Sequence, residues 1–593
     1  MPKQPLLKRF FIWRLKHISE KNFTYILSGL VGLLAGLAAV TLRNITFTIE
    51  GALDNLVVFS KNQVYFILPV IGLFLVYLFV KYVTKKNVEH AIPSILFKLS
   101  KRSGLIERSK IYIPLITAPL TVGFGGSVGL LGPAIASGSA ISSNLGKLFH
   151  VNQQTRTLLI GCAAAGAISS IFKSPIAAII FAVEVFSLDL TFASLLPLLI
   201  ASVSSVLTSY FFLGDDLLFN FNFSDKFEIK DTLFYVVLGI GTGFASIYFT
   251  KMYFFILKFF ERFRSRLIKL IIGGLAIGVM LYFIPPLYGE GFGFINSLLA
   301  GDHLTALGTT PFDHLKDNIW VIIGLLIGIT IFKAIAMTTT FAAGGAGGIF
   351  IPTMVMGSAL GNVVAKIINN LGLGFNVSET NFTLIGMAGL IAGVLHAPLT
   401  AIFLIAEITG GYELFIPLMI AVSMSFIIKK NAIDFTIYTK ELALKGELLT
   451  HNKDQSVLTL MSLDSVIETN FVKLKPTMTL GDMLHKGVAK STRNLFPVVN
   501  EDKALVGIIL LDDVREIMFN QSLYDTTLVS DLMHNPPDII DYKNDSMKIV
   551  MTKFQDSNAW NLPVIKDEKY IGFVSKSKLL TAYRRQLINY TTT

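Results

Sequence analysis

A single cysteine, Cys162, stands in 593 residues. No disulfide within one chain and no cysteine-built zinc site can form from it. Charge is scarce too: Asp, Glu, Lys and Arg make up 15% of the chain, against about 25% in soluble globular domains. Hydrophobic residues reach 52%. At this length such a balance excludes disordered, collagen-like, coiled-coil and small secreted classes, and it points to an α-helical polytopic membrane protein. A His-Glu-x-x-His zinc motif is absent, and the apolar part offers no nucleophile–base pair, which argues against an intramembrane enzyme.

The charge that exists is unevenly spread. Residues 441–593 carry 18 Lys and Arg against 19 Asp and Glu, whereas residues 1–440 carry 33 against 21. The shift sets a boundary near residue 445 between a membrane body and a soluble tail. The basic excess of the body suits short loops under the positive-inside rule better than nucleic-acid binding. Residues 1–22 hold Lys3, Lys8, Arg9, Arg14, Lys16 and Lys21 and read as a cytoplasmic basic helix. The apolar run Phe23–Leu42 after them is long enough to be a retained first span, closed by Arg43. We expect a membrane domain over 23–442 with halves at about 23–215 and 232–430. A linker at 443–450 and two tail modules at 451–524 and 525–593 follow.

Some tracts do not read as simple spans. Ile111–Gly146 and Ala334–Ala365 are uncharged, too long for one crossing, and rich in glycine or proline; Thr157–Phe172 is too short for one. Irregular backbone at membrane depth is tolerated only where protein buries it or where it lines a cavity. These tracts therefore read as broken helices around an internal site.

An internal repeat supports this. Gly125-Gly126, Gly129, Pro133 and Gly138-Ser139-Ala140 recur 219 residues later as Gly344-Gly345, Gly348, Pro352 and Gly357-Ser358-Ala359. Ala165-Gly166, Pro175, Ala178 and Glu184 recur at a spacing of 223 as Ala388-Gly389, Pro398, Ala401 and Glu407. Matching Gly/Pro-interrupted segments in two halves point to a transporter-type site at their interface. The repeat by itself leaves open whether the halves are inverted or parallel.

Helix N-termini carry unpaired N–H groups and a partial positive charge. Several aimed at one point bind an anion without lysine or arginine. Three candidates are Ala91-Ile92-Pro93, Gly132-Pro133 and Phe350-Ile351-Pro352. A cation site would need carboxylates, of which Glu184 and Glu407 are the main buried candidates. The same glycines could instead serve close helix packing.

These blocks, with Ser174-Pro175, Ala397-Pro398-Leu399-Thr400 and Thr409-Gly410-Gly411-Tyr412, resemble the CLC chloride channel and proton/chloride exchanger family over nearly the whole chain. The tail resembles its paired CBS domains. The resemblance implies two inverted repeats with broken helices and a C-terminal α/β CBS pair. It also implies a homodimer in the lipid bilayer of the cell's plasma (inner) membrane, with one pathway for chloride or a similar small anion per subunit and with the N-terminus and tail in the cytoplasm. It assigns anion contact to His90, Ala91, Ile92, Pro93, Leu130, Leu131, Gly132, Ile349, Phe350, Ile351 and Tyr438.

Departures from the family pattern carry the mechanism. The serine of its first signature is His90 here. The gating glutamate of its second is Leu131, and the internal proton glutamate is Val185. Leucine and valine hold no proton, so the expectation is a channel or uncoupled uniporter. The rival is a proton-coupled antiporter using His90 or Glu184 as substitute carriers; a CBS-bearing divalent-cation transporter is more remote. His90 either donates to the anion or packs against Glu89 or a carbonyl. Glu184 and Glu407 read as structural carboxylates that accept N–H groups at helix ends. An apolar Leu131 also suits gating by dewetting. Fluoride-selective relatives use methionine at the central position, which argues against fluoride.

In the tail, Phe496-Pro497-Val498-Val499 with Gly507-Ile508-Ile509 is echoed by Leu562-Pro563-Val564-Ile565 with Gly572-Phe573-Val574. Each unit reads as strand, charged turn, strand, helix. Nucleotide-binding CBS modules place a hydroxyl, two residues, then an acid after the second strand. Only Asp513 remains of this in the first unit and only Ser575 in the second, so bound ATP or AMP stays an open alternative to a structural role. No cofactor is required for transport.

Overall fold

Proline and glycine decide where the membrane helices stop. The computed structural model describes the chain apart from residues 1–12, 15, 60–62, 86–90, 102–103, 189–190, 215–218, 220–227, 308–309, 313–314, 316–317, 373, 441–457, 459–460 and 592–593. It divides into two units, Met1–Glu441 and Leu442–Thr593.

In the first unit one half supplies α1 (Glu20–Phe59), α2 (Leu68–Phe79), α3 (Ala91–Lys101), α4 (Ser109–Gly123), α5 (Leu131–Leu148), α6 (Gln153–Phe172), α7 (Pro175–Phe186) and α8 (Phe192–Leu213). The other supplies α9 (Thr232–Glu261), α10 (Arg266–Phe283), α11 (Phe292–Leu299), α12 (Ile319–Ala342), α13 (Phe350–Asn370), α14 (Glu379–Leu395), α15 (Pro398–Ile408) and α16 (Phe415–Ala432). Among the described residues, nine helices are long and apolar enough to cross a membrane, while α7, α14 and α15 are apolar but shorter. Both long Gly/Pro tracts break as expected, between α4 and α5 and between α12 and α13.

Two spans differ from the sequence expectation. Helix α1 continues through Arg43, whose guanidinium lies 5.1 Å from the centre of the Phe47 ring one turn on. Helix α6 is not a half-crossing piece: it starts at Gln153, where Asn152 accepts the Thr155 N–H at 2.7 Å, and its 20 residues suffice to cross. The capping signal, not the charge at Arg156, sets its start. Helix α10 ends at Phe283, because Pro285 and Pro286 cannot continue a helix.

The two halves exchange identical bonds. The Gly129 N–H donates to the Gly348 carbonyl at 3.0 Å, and the Gly348 N–H donates to the Gly129 carbonyl at 2.7 Å. The Ser127 N–H donates to Thr340 Oγ1 at 3.3 Å, and the Ala346 N–H donates to Thr121 Oγ1 at 3.0 Å. Glu184, in the last turn of α7, accepts the N–H groups of Leu399 and Thr400 at 3.0 and 2.9 Å. Glu407, in the last turn of α15, accepts those of Ile176 and Ala177 at 3.0 and 2.8 Å. Each carboxylate thus caps the start of the other helix, which requires α7 and α15 to lie antiparallel. The repeats are inverted about a two-fold, as a parallel pair could not make this exchange.

The second unit carries β1 (Ile467–Glu468), β2 (Leu495–Val499), β3 (Leu505–Leu510), β4 (Ile540–Asp541), β5 (Asn561–Lys566) and β6 (Lys569–Ser575). Strands β2 and β3 form an antiparallel hairpin, and the other four form a sheet ordered β1-β6-β5-β4. The repeated hairpins are those expected. The helices after them differ: α17 (Leu511–Val514) is one turn, whereas α19 (Lys576–Thr591), which follows α18 (Met547–Ser557), runs 16 residues.

Replacing either capping carboxylate by alanine removes the partners of two N–H groups at a helix start, at a cost of about 0.5–2 kcal/mol. Glu184→Ala and Glu407→Ala should lower the Tm of the full chain in detergent by similar amounts, with the glutamine variants milder. An unchanged Tm for Glu184→Ala would show that its carboxylate is not a structural cap.

Candidate functional site

Breaking α4 from α5 and α12 from α13 leaves helix N-termini inside the first unit. In α5 the first helical bond runs from the Ala134 N–H to the Leu130 carbonyl; in α13 it runs from the Thr353 N–H to the Ile349 carbonyl. The N–H groups before these have no intrahelical acceptor. The exchange between Gly129 and Gly348 holds both starts side by side.

A cavity of about 20 Å3 lies at this junction, room for one small particle. Ala91, Ile92 and Pro93 of α3, Gly132 of α5, Ile349 at the α13 cap and Tyr438 all line it. Sequence reasoning had proposed each of these. It missed Tyr253, Phe341, Gly347, Gly348 and Ile437, which complete the wall. Gly348 could have been found, because the repeat singled it out; the others come from packing across the two halves. No charged side chain lines the cavity among the described residues. Backbone dipoles and the two tyrosines, Tyr253 and Tyr438, are therefore the polar features its wall offers.

Among the described residues, the other proposed positions do not line this cavity. Leu130, Leu131, Phe350 and Ile351 are buried, and Leu131 is wholly so, at 0% exposure. The Phe350 ring packs into an aromatic cluster, 5.7 Å from Phe172 and 6.1 Å from Phe181 between ring centres. Val185 is buried in α7 beside Glu184. His90, with Glu89, lies outside the described residues.

A further acid supports the site. Glu290, 7% exposed, accepts the Leu130 N–H at 2.7 Å. It also borders a wider cavity of about 330 Å3, shared with Glu50 and Tyr288. Wholly buried Lys333 donates to the Leu287 and Gly289 carbonyls at 3.1 and 3.0 Å. Ser127 Oγ donates to the same Leu287 carbonyl at 2.6 Å. This loop thus braces the approach to α5 from behind. Glu184 and Glu407 had seemed the main buried acids; Glu290, flanked by Gly289 and Gly291, belongs with them. Its only sequence signal was an acid between glycines in an apolar stretch.

In the tail, both residues proposed for nucleotide contact act as helix caps. Asp513 accepts the Leu510 N–H at 2.8 Å and lies 3.0 Å from His534 Nε2. Ser575 Oγ accepts the Lys578 N–H at 3.3 Å and donates to Glu468 at 3.0 Å. Hydroxyl, two residues, acid is also the spacing of a capping box, and each unit keeps one half of it.

The chain matches known proteins along most of its length. Residues 71–430 fit the family described as voltage gated chloride channel. Residues 463–520 and 529–585 fit the CBS domain. A ClcB-like chloride channel protein of Ralstonia nicotianae is 25% identical over 432 residues, covering 70% of this chain and 96% of the relative. The chloride channel protein CLC-f of Arabidopsis thaliana is 25% identical over 476 residues, 71% of this chain and 59% of the relative. Among solved structures, a slow cyanobacterial Cl-/H+ antiporter superposes with a TM-score of 0.62 at 20% identity, covering 71% of this chain and 97% of that one. A eukaryotic CLC transporter superposes with a TM-score of 0.56 at 15% identity, covering 97% and 99%.

The closeness of the two loops gives a test. A methyl added at Gly132 would lie 3.0 Å from the Gly348 Cα and 3.2 Å from the Gly347 carbonyl oxygen. Backbone cannot yield there without parting the helix starts. Gly132→Ala is expected to slow chloride efflux from liposomes about tenfold or more, equivalent to ~1.4 kcal/mol. Wild-type efflux from that variant would contradict the assignment of the cavity to the pathway.

Proposed function

The chain belongs to the voltage-gated chloride channel family, and we propose that it moves chloride or a similar small anion passively, without proton coupling. Leu131 carries this reading. It is the first residue of α5, next to Gly132 in the cavity wall, and its side chain neither binds a proton nor competes as a tethered charge. The internal position, Val185, is equally inert. Coupled exchange needs a protonatable group along the permeation path. The cavity wall supports an anion over a cation, because its described residues bring no carboxylate.

The rival is coupled antiport through His90 or Glu184, and one similar solved structure is itself a Cl-/H+ antiporter. Against Glu184 as the carrier stands its commitment to the start of α15, where it accepts two backbone N–H groups and the Thr400 hydroxyl. A protonated carboxyl would weaken that cap. The reading includes a homodimer with one pathway per subunit, a plasma-membrane location, and a cytoplasmic N-terminus and tail. The CBS pair serves assembly in it, and no cofactor takes part in transport.

Restoring a carboxylate tests the reading. In Leu131→Glu a tethered charge should compete with the anion for the N–H groups at the α5 start. Its efflux should fall below wild type at neutral pH and recover as pH drops from about 5.5 to 4, through the ordinary glutamate range. Wild-type efflux should stay flat across that window. A wild-type profile rising in parallel with the variant's would reveal another carboxylate in the path and contradict the proposal.

A further inference from the structure

The inverted repeat makes each half a control for the other, and one pair of positions does not match. Lys173 and His396 are 223 residues apart, the spacing of Glu184 and Glu407. Both occupy the left-handed region, at φ 54° and 56°, just before α7 and α15. In the first half this residue is satisfied. Lys173 Nζ donates to the Gly214 carbonyl at 2.8 Å and lies 4.4 Å from the Tyr210 ring centre. In the second half the imidazole of His396 packs edge-on against Phe426 of α16, 5.7 Å between centres. Its buried Nε2 has no hydrogen-bond partner among the described residues.

A second mismatch lies on the same face of α16, three residues beyond Phe426. Ser205 and Ser425 correspond at a spacing of 220, and their hydroxyls bond the equivalent carbonyls of Gly166 and Gly389 at 2.6 and 2.7 Å. One turn on, Ser209 donates to the Ser170 carbonyl at 2.8 Å. Its counterpart is Lys429, 0% exposed, whose Nζ has no hydrogen-bond partner among the described residues. The charged groups acting on the imidazole are Lys429, Lys430 and Asp434. Asp434 is exposed and engaged by Lys430 at 3.4 Å, and no acid among the described residues pairs with Lys429.

An isolated buried ammonium is costly unless an anion neutralises it. We propose that Lys429 and His396 bind a small monovalent anion of the halide class at a second site. They form no part of the pathway cavity wall. The ammonium supplies charge and donors, and the neutral imidazole donates from Nε2. The equivalent positions of the first half lack this pairing, because Ser209 is neutral and donates to the Ser170 carbonyl, while Lys173 is engaged by the Gly214 carbonyl and the Tyr210 ring.

Anomalous diffraction from crystals of the full chain grown in bromide tests this. The expected result is a bromide peak in contact with Lys429 Nζ and His396 Nε2, lost in Lys429→Met while any peak in the pathway cavity stays. Wild-type crystals with no peak at Lys429 would overturn the proposal, as would a peak there that survives Lys429→Met. A peak at Lys429 with none in the pathway cavity would support this site and count against the pathway assignment instead. The wild-type measurement decides the matter even if the variant fails to fold.

Discussion

Two backbone hydrogen bonds between Gly129 and Gly348 are the constraint on which the rest of the membrane unit depends. They join the halves at the point where each interrupts its helices. Any side chain at these positions would push the two loops apart: a methyl on Gly129 would meet Ile351 at 3.0 Å, and one on Gly348 would meet the Gly132 nitrogen at 2.7 Å. Because the loops touch, the starts of α5 and α13 lie side by side. The threonine hydroxyls at 121 and 340 and the carboxylates at 184 and 407 repeat the exchange farther out. The halves are therefore locked by reciprocal bonds and not by apolar packing alone.

This arrangement explains the low charge of the body. A fixed lysine or arginine in so small a cavity would bind an anion strongly and release it slowly, whereas conduction requires binding weak enough to leave. Partial charges at helix starts give attraction of a moderate size. The cations in this unit are used elsewhere. Lys333 holds the carbonyls of the loop that braces α5, and Lys366 pairs with Glu379 at 2.6 Å.

Much of this was legible in the sequence because repeats expose themselves. The equal spacings of Gly129 and Gly348, and of Glu184 and Glu407, marked both the broken helices and the carboxylates that cap them. The helix starts at Leu131 and Phe350 followed from paired glycine and proline, and that at Ala91 from Pro93. Repeats cannot convey which side chains meet across the two-fold, so Tyr253, Phe341 and Ile437 were missed. Neither could they show that Phe350 turns its ring into the Phe172 cluster. Glu290 has no counterpart at the repeat spacings that revealed the other acids. In the tail, Asp513 and Ser575 were open to two physical readings, since ribose contact and helix capping use the same residue types at the same spacing.

The central claim is that an anion crosses without a proton, because the positions that would carry one are leucine and valine. Simultaneous recording of chloride and proton movement in liposomes under an outward chloride gradient tests it most directly. The account predicts chloride efflux with no proton uptake against a gradient. Protons driven inward in fixed ratio to chloride would contradict it.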